Sequence, residues 1–141
     1  MGVTDSVDAD LQKLEVPVRR VSPTEWGLTV EAAGWPLHIG VAWRDGLLRA
    51  QAEVLGPDQV SDHELLFRNR GLVLVRYAHT SAGAVYVHGE LPEELVGPPW
   101  IDRLLGMLVD AAIVARHRAS AEPSIAVADE AGQPTDRTDV R

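Results

Sequence analysis

The most restrictive feature of the sequence is a two-residue alternation of apolar and polar side chains that begins at Trp26 and ends at Val54. It occurs in three runs, over residues 26–31, 37–44 and 48–54. A period of two is that of a β-strand with one buried face. Gly34 lies between the first and second runs. Asp45-Gly46, a pair typical of the type I′ turn, separates the second run from the third. The pattern therefore predicts three antiparallel strands joined as a meander.

Helical patterns lie on both sides of this meander. Apolar residues of the N-terminal segment have the spacing of one helix face, which predicts a helix over residues 6–15 that Pro17 ends. After the meander, Ser61 and Glu64 have the spacing of a capping box, in which a serine at the helix start and a glutamate three residues later share main-chain hydrogen bonds. This pair predicts a short helix over residues 62–69.

The C-terminal half adds a hairpin and a long helix. Two strands are predicted over residues 72–79 and 84–91, with a turn at residues 81–83 between them. A pair of prolines starts the last helix, predicted over residues 100–117, and Arg116 is expected to complement the negative end of its dipole.

The order of elements predicts an α+β fold: helix, three-strand meander, short helix, two-strand hairpin, long helix. We assign residues 1–117 to a single domain, since a chain of 141 residues is long enough for one core. Residues 118–141 show no hydrophobic period and mix charges, proline and small side chains. We predict that they form a mobile acidic and polar tail.

Composition limits the function and the compartment. The formal net charge is −8, and the twelve arginines and the single Lys13 are scattered, so direct binding of nucleic acid is not expected. The absence of cysteine excludes disulfides and thiolate metal sites. The N-terminal segment is acidic and polar, and no apolar stretch approaches the ~20 residues of a membrane span. We expect a cytoplasmic protein without membrane association.

The hairpin raises the question of an active site. If both strands have one solvent-facing side, that side is expected to carry the following residues: Val75, Tyr77, His79, Tyr86, His88 and Glu90. The core side is then expected to carry Leu72, Leu74, Arg76, Ala78, Val85, Val87 and Leu91. We interpret the solvent side, without Glu90, as a client-binding face. The alternative is a small enzyme or metal-binding protein that uses His79, His88 and Glu90. No HExxH-like pair accompanies them, so we expect no cofactor, no metal and no catalysis.

The last predicted helix is apolar around most of its circumference. Its polar wedge is narrow, whereas a helix that covers a sheet needs an apolar stripe of only about 100°. The surplus must be buried either within the chain or against a second copy. We favour a homodimer, with an interface expected at Leu104, Met107, Leu108, Ala111, Val114 and Ala115.

Three stretches, "FRNRGLVLVRYA", "VYVHGELP" and "IDRLLGMLVDAA", together with the order of elements, resemble the YbjN family, whose fold is that of the class I type III secretion chaperones. The resemblance implies a small dimeric protein that binds other proteins and catalyses nothing. Secretion chaperones hold an extended client segment along the sheet and flanking helices, and YbjN-like members are described as regulators or stress-related proteins. The resemblance thus implies a chaperone-like or adaptor role in protein binding.

The charge suggests the chemistry of the client. A homodimer would carry twice the charge of the chain, −16, and its field would attract basic surfaces. We therefore expect a basic client protein, with a nucleic-acid-binding protein as the natural candidate. This chain would then meet nucleic acid only through its client.

Overall fold

The computed structural model describes the backbone of residues 2–132 and the side chains of residues 2–121. Over this range the chain forms three α-helices, one 3₁₀ helix and six β-strands. In chain order they are α1 (Val3–Gln12), β1 (Val18–Ser22), β2 (Glu25–Ala32), β3 (Trp35–Arg44), β4 (Leu47–Leu55), α2 (Asp62–Asn69), β5 (Val75–His79), β6 (Val85–Pro92), the 3₁₀ helix (Glu93–Leu95) and α3 (Pro98–Gly132).

The six strands form one antiparallel sheet in the order β1-β2-β3-β4-β6-β5. The predicted α+β class and the predicted order of elements are confirmed, but the meander has four strands rather than three. The missed strand is β1, whose sequence VRRVS shows no alternation. It is an edge strand that buries little of its surface, so the sequence carries no periodic pattern there.

Two tight turns fix the register of the meander. Asp45 and Gly46 have φ values of 58° and 74°, the positive values that the predicted type I′ turn requires. Ala33 and Gly34 connect β2 to β3 in the same way, with φ values of 55° and 93°. Each turn therefore joins its strands with two central residues, which keeps the apolar side chains of the three longer strands on one face.

The predicted bounds of α2 are correct, and the main-chain N–H of Glu64 donates to the side chain of Ser61 at 3.1 Å. The α1 helix begins three residues before the predicted position. The last helix was predicted to end at residue 117 but extends to Gly132, and Ala119 is buried in the core. The domain therefore extends beyond residue 117, and residues 133–141 of the predicted tail lie outside the described residues.

The core lies between one face of the sheet and the two longer helices. The α3 helix packs across β4, β6, β5 and part of β2, while α1 contacts β1 and α3. The largest fully buried side chains are Trp26, Leu11, Leu37, Ile39, Leu48, Leu91, Leu104 and Leu108. The opposite face of the sheet carries no helix within the described residues, so the molecule has a helix side and an outer side.

Candidate protein-binding surfaces

The register of the β5–β6 hairpin divides the predicted client-binding face. Tyr77 lies opposite Val87, and Arg76 lies opposite His88; directly opposed residues share a face. Val75, Tyr77 and His79 are therefore on the helix side, whereas Tyr86, His88 and Glu90 are on the outer side with Arg76 and Ala78. The predicted common face is wrong because the true register differs by one residue, and a shift of one moves every side chain of a strand to the other face.

The helix-side members of that prediction are part of the core. Val75 and Tyr77 are only 3% and 5% exposed. The hydroxyl of Tyr77 donates to the carbonyl oxygen of Ala111 at 2.6 Å, and burial raises the pKa of Tyr77 to about 12. His79 lies at the exposed end of β5, with its Nε2 3.7 Å from a carboxylate oxygen of Asp62. Neither Val75 nor Tyr77 can contact a client without opening the core.

The alternative site of His79, His88 and Glu90 does not assemble, since His79 and His88 lie on opposite sides of the sheet. Glu90 pairs with Arg76 at 2.7 Å, and this hydrogen bond lowers the pKa of the Glu90 carboxyl group. Burial lowers the pKa of His88, whose ring centroid lies 5.2 Å from that of Tyr86. Among the residues whose side chains are described, no three histidine, aspartate or glutamate side chains are arranged to bind a metal.

Most of the predicted dimer interface on α3 is also buried within the chain. Leu104, Leu108, Ala111 and Ala115 are at most 3% exposed. They cannot contact a second copy, because the sheet covers α3 on one side and α1 covers it on another. Met107 is half-buried and Val114 is 38% exposed, so these two members stay at the surface.

Met107 and Val114 line a groove of about 400 Å³ between α3 and the segment that leads into β5. Val73, which is 67% exposed, forms part of the opposite wall. The charged side chains of Arg68 and Asp110 also line the groove. Two further exposed apolar side chains, Leu66 and Phe67, lie on α2 next to Arg68. We call Leu66, Phe67, Val73, Met107 and Val114 the α2–α3 surface.

The sheet has two edges, β1 and β5, and the β5 edge is occupied by a side chain. The amide nitrogen of Asn69, the last residue of α2, donates to the main-chain oxygen of Tyr77 at 3.1 Å. The main-chain N–H of Tyr77 donates to the side-chain oxygen of Asn69 at 2.8 Å. One asparagine therefore makes both hydrogen bonds that a neighbouring strand would make at Tyr77.

The direction of the β1 main chain follows from the alternation of antiparallel hydrogen bonds. The N–H of Trp43 donates to the oxygen of Thr24 at 2.9 Å. The main-chain N–H and C=O groups of the even-numbered residues of β2 therefore point toward β3, and those of Gly27 point toward β1. The N–H and C=O groups of Arg19, opposite Gly27, therefore point toward β2. Those of Arg20 point outward from the β1 edge, in the plane of the sheet.

Side chains approach this β1 edge without blocking it. Gln12 donates to the oxygen of Val18 at 3.3 Å. The guanidinium of Arg20 lies 3.5 Å from Asp5 and stacks at 5.5 Å on the ring of Trp26. Among residues 2–121, no side chain hydrogen-bonds to the main chain of Arg20. The β1 edge is thus open at Arg20.

The structure also reveals a buried cation that the sequence did not predict. Arg116 is 5% exposed and donates to four main-chain oxygens, on Val54, Ala32, Trp35 and Pro36, at 2.9–3.1 Å. Its guanidinium also lies 3.5 Å from the ring centroid of Trp35. Burial lowers the pKa of Arg116. Main-chain acceptors have no signature in the sequence, so an arginine near a helix end was interpreted only as a partner of the dipole.

Comparison with known proteins identifies the fold. No protein-family model and no curated protein matches the sequence. Three examples of solved structures that are similar to this chain can be compared with it. They are the Yersinia pestis type III secretion chaperone SycH in complex with a stable fragment of YscM2, the HopA1–SchA chaperone–effector complex, and the heterodimeric ExoU–SpcU complex from the type III secretion system of Pseudomonas aeruginosa.

The extent of the likeness is similar in the three cases. The TM-scores are 0.55, 0.58 and 0.52, at sequence identities of 14%, 11% and 14%. The alignments cover 80–82% of this chain and 91–97% of the matched chains. This chain has the fold of the type III secretion chaperones. No helix in the described part of the chain has the length and hydrophobicity needed to cross a membrane.

Proposed function

We propose that this protein is a non-catalytic protein-binding module, chaperone-like or adaptor in type, that holds an extended segment of a client at the β1 edge of its sheet. The observation that carries the proposal is the open main chain of Arg20 on an edge strand. An extended peptide can add to such an edge by main-chain hydrogen bonds, with specificity from the side chains on either side of the strand. The fold shared with chaperones from chaperone–effector complexes supports this function.

The side chains around the β1 edge suggest how a client would be held. Val21 is 54% exposed, so an apolar client side chain has a contact on β1. The first turns of the adjacent α1 carry Asp5, Asp8 and Asp10. Arg20 engages Asp5 and, at 3.8 Å, Asp8, whereas the half-buried Asp10 lies farther along the helix.

We further propose that the client is basic, and that a nucleic-acid-binding protein fits this description. The support is the net charge of −8, which favours encounters with cationic proteins and opposes direct contact with phosphates. Affinity for such a client should fall as salt concentration rises. Tight binding of the purified chain to single- or double-stranded oligonucleotides would contradict this part of the proposal.

A homodimer is the second part of the proposal, now assigned to the α2–α3 surface. Two copies related by a two-fold axis would bury the exposed Val73 and Val114 of the groove together with the exposed Phe67 of α2. Val114→Asp should convert the dimer to a monomer in sedimentation velocity, and circular dichroism should show that this monomer is still folded. A wild-type monomer at micromolar concentration would refute this part.

The relationship to the YbjN family, a stress-related role and a cytoplasmic location belong to the same proposal. Their support is the sequence resemblance in the turn after α2, in β6 and in α3, together with the acidic composition and the absence of cysteine.

The matched pair Arg20→Pro and Arg20→Ala tests the proposed client site. Both variants remove the ion pairs of Arg20, but only proline removes the outward N–H, which the β1–β2 ladder does not use. A client recovered by affinity purification would be mapped to its bound segment, and a synthetic peptide of that segment would be titrated. We expect Arg20→Ala to bind it within a fewfold of the wild type and Arg20→Pro to lose binding. Equal affinity of both variants would exclude pairing at this edge.

A further inference from the structure

Asn69 occupies a position that is critical for an exposed sheet edge. A strand with free N–H and C=O groups can pair with strands of other molecules, and proteins block such edges by several devices. At β5 the device is a single side chain, because Asn69 satisfies both the N–H and the C=O of Tyr77, at 2.8 and 3.1 Å. Tyr77 is the central residue of the five-residue β5, so this pair interrupts the edge at its middle.

The geometry depends on two fixed elements. The side chain of Tyr77 is held in the core by its hydroxyl bond to Ala111, so its main chain cannot rotate away. Asn69 is the last residue of α2, a helix anchored by the buried Leu65 and by the N-cap Ser61. The main chain of Tyr77 and the side-chain amide of Asn69 are therefore both held in place where they hydrogen-bond.

We propose that Asn69 blocks strand pairing at β5 and thereby makes β1 the edge at which the sheet accepts a partner strand. The inference rests on the proposed function, to which it adds a specificity-determining residue. At β1 the only comparable contact in the described chain is the single hydrogen bond from Gln12 to Val18, at 3.3 Å and from an exposed side chain. The β5 edge, with two hydrogen bonds from Asn69, should therefore accept a partner strand much less readily than the β1 edge, with one weak contact.

The proposal predicts which amide responds when Asn69 is replaced. In Asn69→Ala, the Tyr77 amide should exchange with solvent about tenfold faster or more, the effect of losing one hydrogen bond at an edge. The amide of Ala78 should keep its protection, because it faces β6. Val87, in the centre of β6, reports global opening and should also be unchanged. Alanine favours helix, so the variant should keep α2 folded.

A second readout is self-association through the exposed edge. Asn69→Ala should form species larger than the wild type in sedimentation velocity, increasing with concentration, by pairing of β5 between copies. Adding Ala78→Lys should suppress these species, since lysine on an edge strand opposes pairing, without restoring the protection of Tyr77. The matched control Gln12→Ala, which removes a side-chain contact at the other edge, should leave Tyr77 exchange unchanged.

Two results would overturn the proposal. One is wild-type exchange at Tyr77 in Asn69→Ala, or in Asn69→Ser if the alanine variant fails to fold. The other is an equal loss of protection at Tyr77, Ala78 and Val87, which would show that Asn69 contributes only to global stability. No client is present in these measurements, so their outcome is independent of whether the Arg20 variants confirm the β1 client site.

Discussion

Arg116 provides the sharpest test of how the structure holds α3 on the sheet. In Arg116→Ala, the buried oxygens of Val54 and Ala32 lose the guanidinium, but Ala32, which pairs with Trp35 across the two-residue turn, keeps a main-chain donor. The oxygens of Trp35 and Pro36 lie partly at the surface and can reach water. The unsatisfied carbonyl of Val54 costs about 1–3 kcal/mol, the hydrogen bond lost at Ala32 about 1 kcal/mol, and loss of the stacking on Trp35 about 1 kcal/mol. We expect the free energy of unfolding to fall by about 3–5 kcal/mol.

The assay is urea denaturation followed by tryptophan fluorescence, with Arg103→Ala as the matched control. Arg103 lies on the same helix but is exposed, and its guanidinium lies 5.2 Å from the ring centroid of Trp100. This control should cost less than about 1 kcal/mol. Arg116→Lys should restore only part of the loss, because an ammonium cannot reproduce the planar fork of donors. Equal costs for the alanine variants at positions 103 and 116 would refute the reasoning.

Three further predictions concern single contacts in the described chain. A side chain at Gly89 would press on the main-chain oxygen of Leu74. Gly89→Ala should therefore lower the free energy of unfolding by about 2–3 kcal/mol in urea denaturation. The control Gly40→Ala, at a position with open space around it, should be nearly neutral. Ser61→Ala should cost about 1 kcal/mol by thermal unfolding through loss of the helix cap; no change would show that the cap is unimportant. Burial raises the pKa of Tyr77 to about 12, above the usual value near 10, so stability is intact below pH 10 and should fall between pH 10 and pH 12 as the unfolded chain loses its proton first. Tyr77→Phe should remove this dependence, and an unchanged pH profile in that variant would contradict the assignment.

The sequence predicted the elements whose side chains face two distinct environments. The alternation from Trp26 to Val54, the turn at Asp45-Gly46 and the cap at Ser61 each act locally, so their patterns lie within a few neighbouring residues. Strand β1 was missed because an edge strand with exposed arginines has no such contrast. The extension of α3 beyond residue 117 was missed because the change in composition there was interpreted as the end of the fold.

The surfaces were harder to predict because they depend on contacts between distant segments. The hairpin register follows from its loop, which sets Tyr77 opposite Val87, and residue types alone allowed a shift of one. The groups that bind Asn69 and Arg116 are main-chain atoms, to which any residue type contributes equally. The apolar residues around α3 correctly predicted that the helix is covered on several sides. Most of that cover comes from the sheet and α1 of the same chain.

Hydrogen exchange of the β1 amides, with and without the mapped client peptide, tests the central claim most directly. If the client adds a strand at β1, the Arg20 amide should gain protection on binding. The amide of Arg19, which already faces β2, should not change, and the Tyr77 amide, which Asn69 already occupies, should not change either. Protection that appears at the β5 edge, or a bound peptide that leaves the exchange of Arg20 unchanged, would contradict the account.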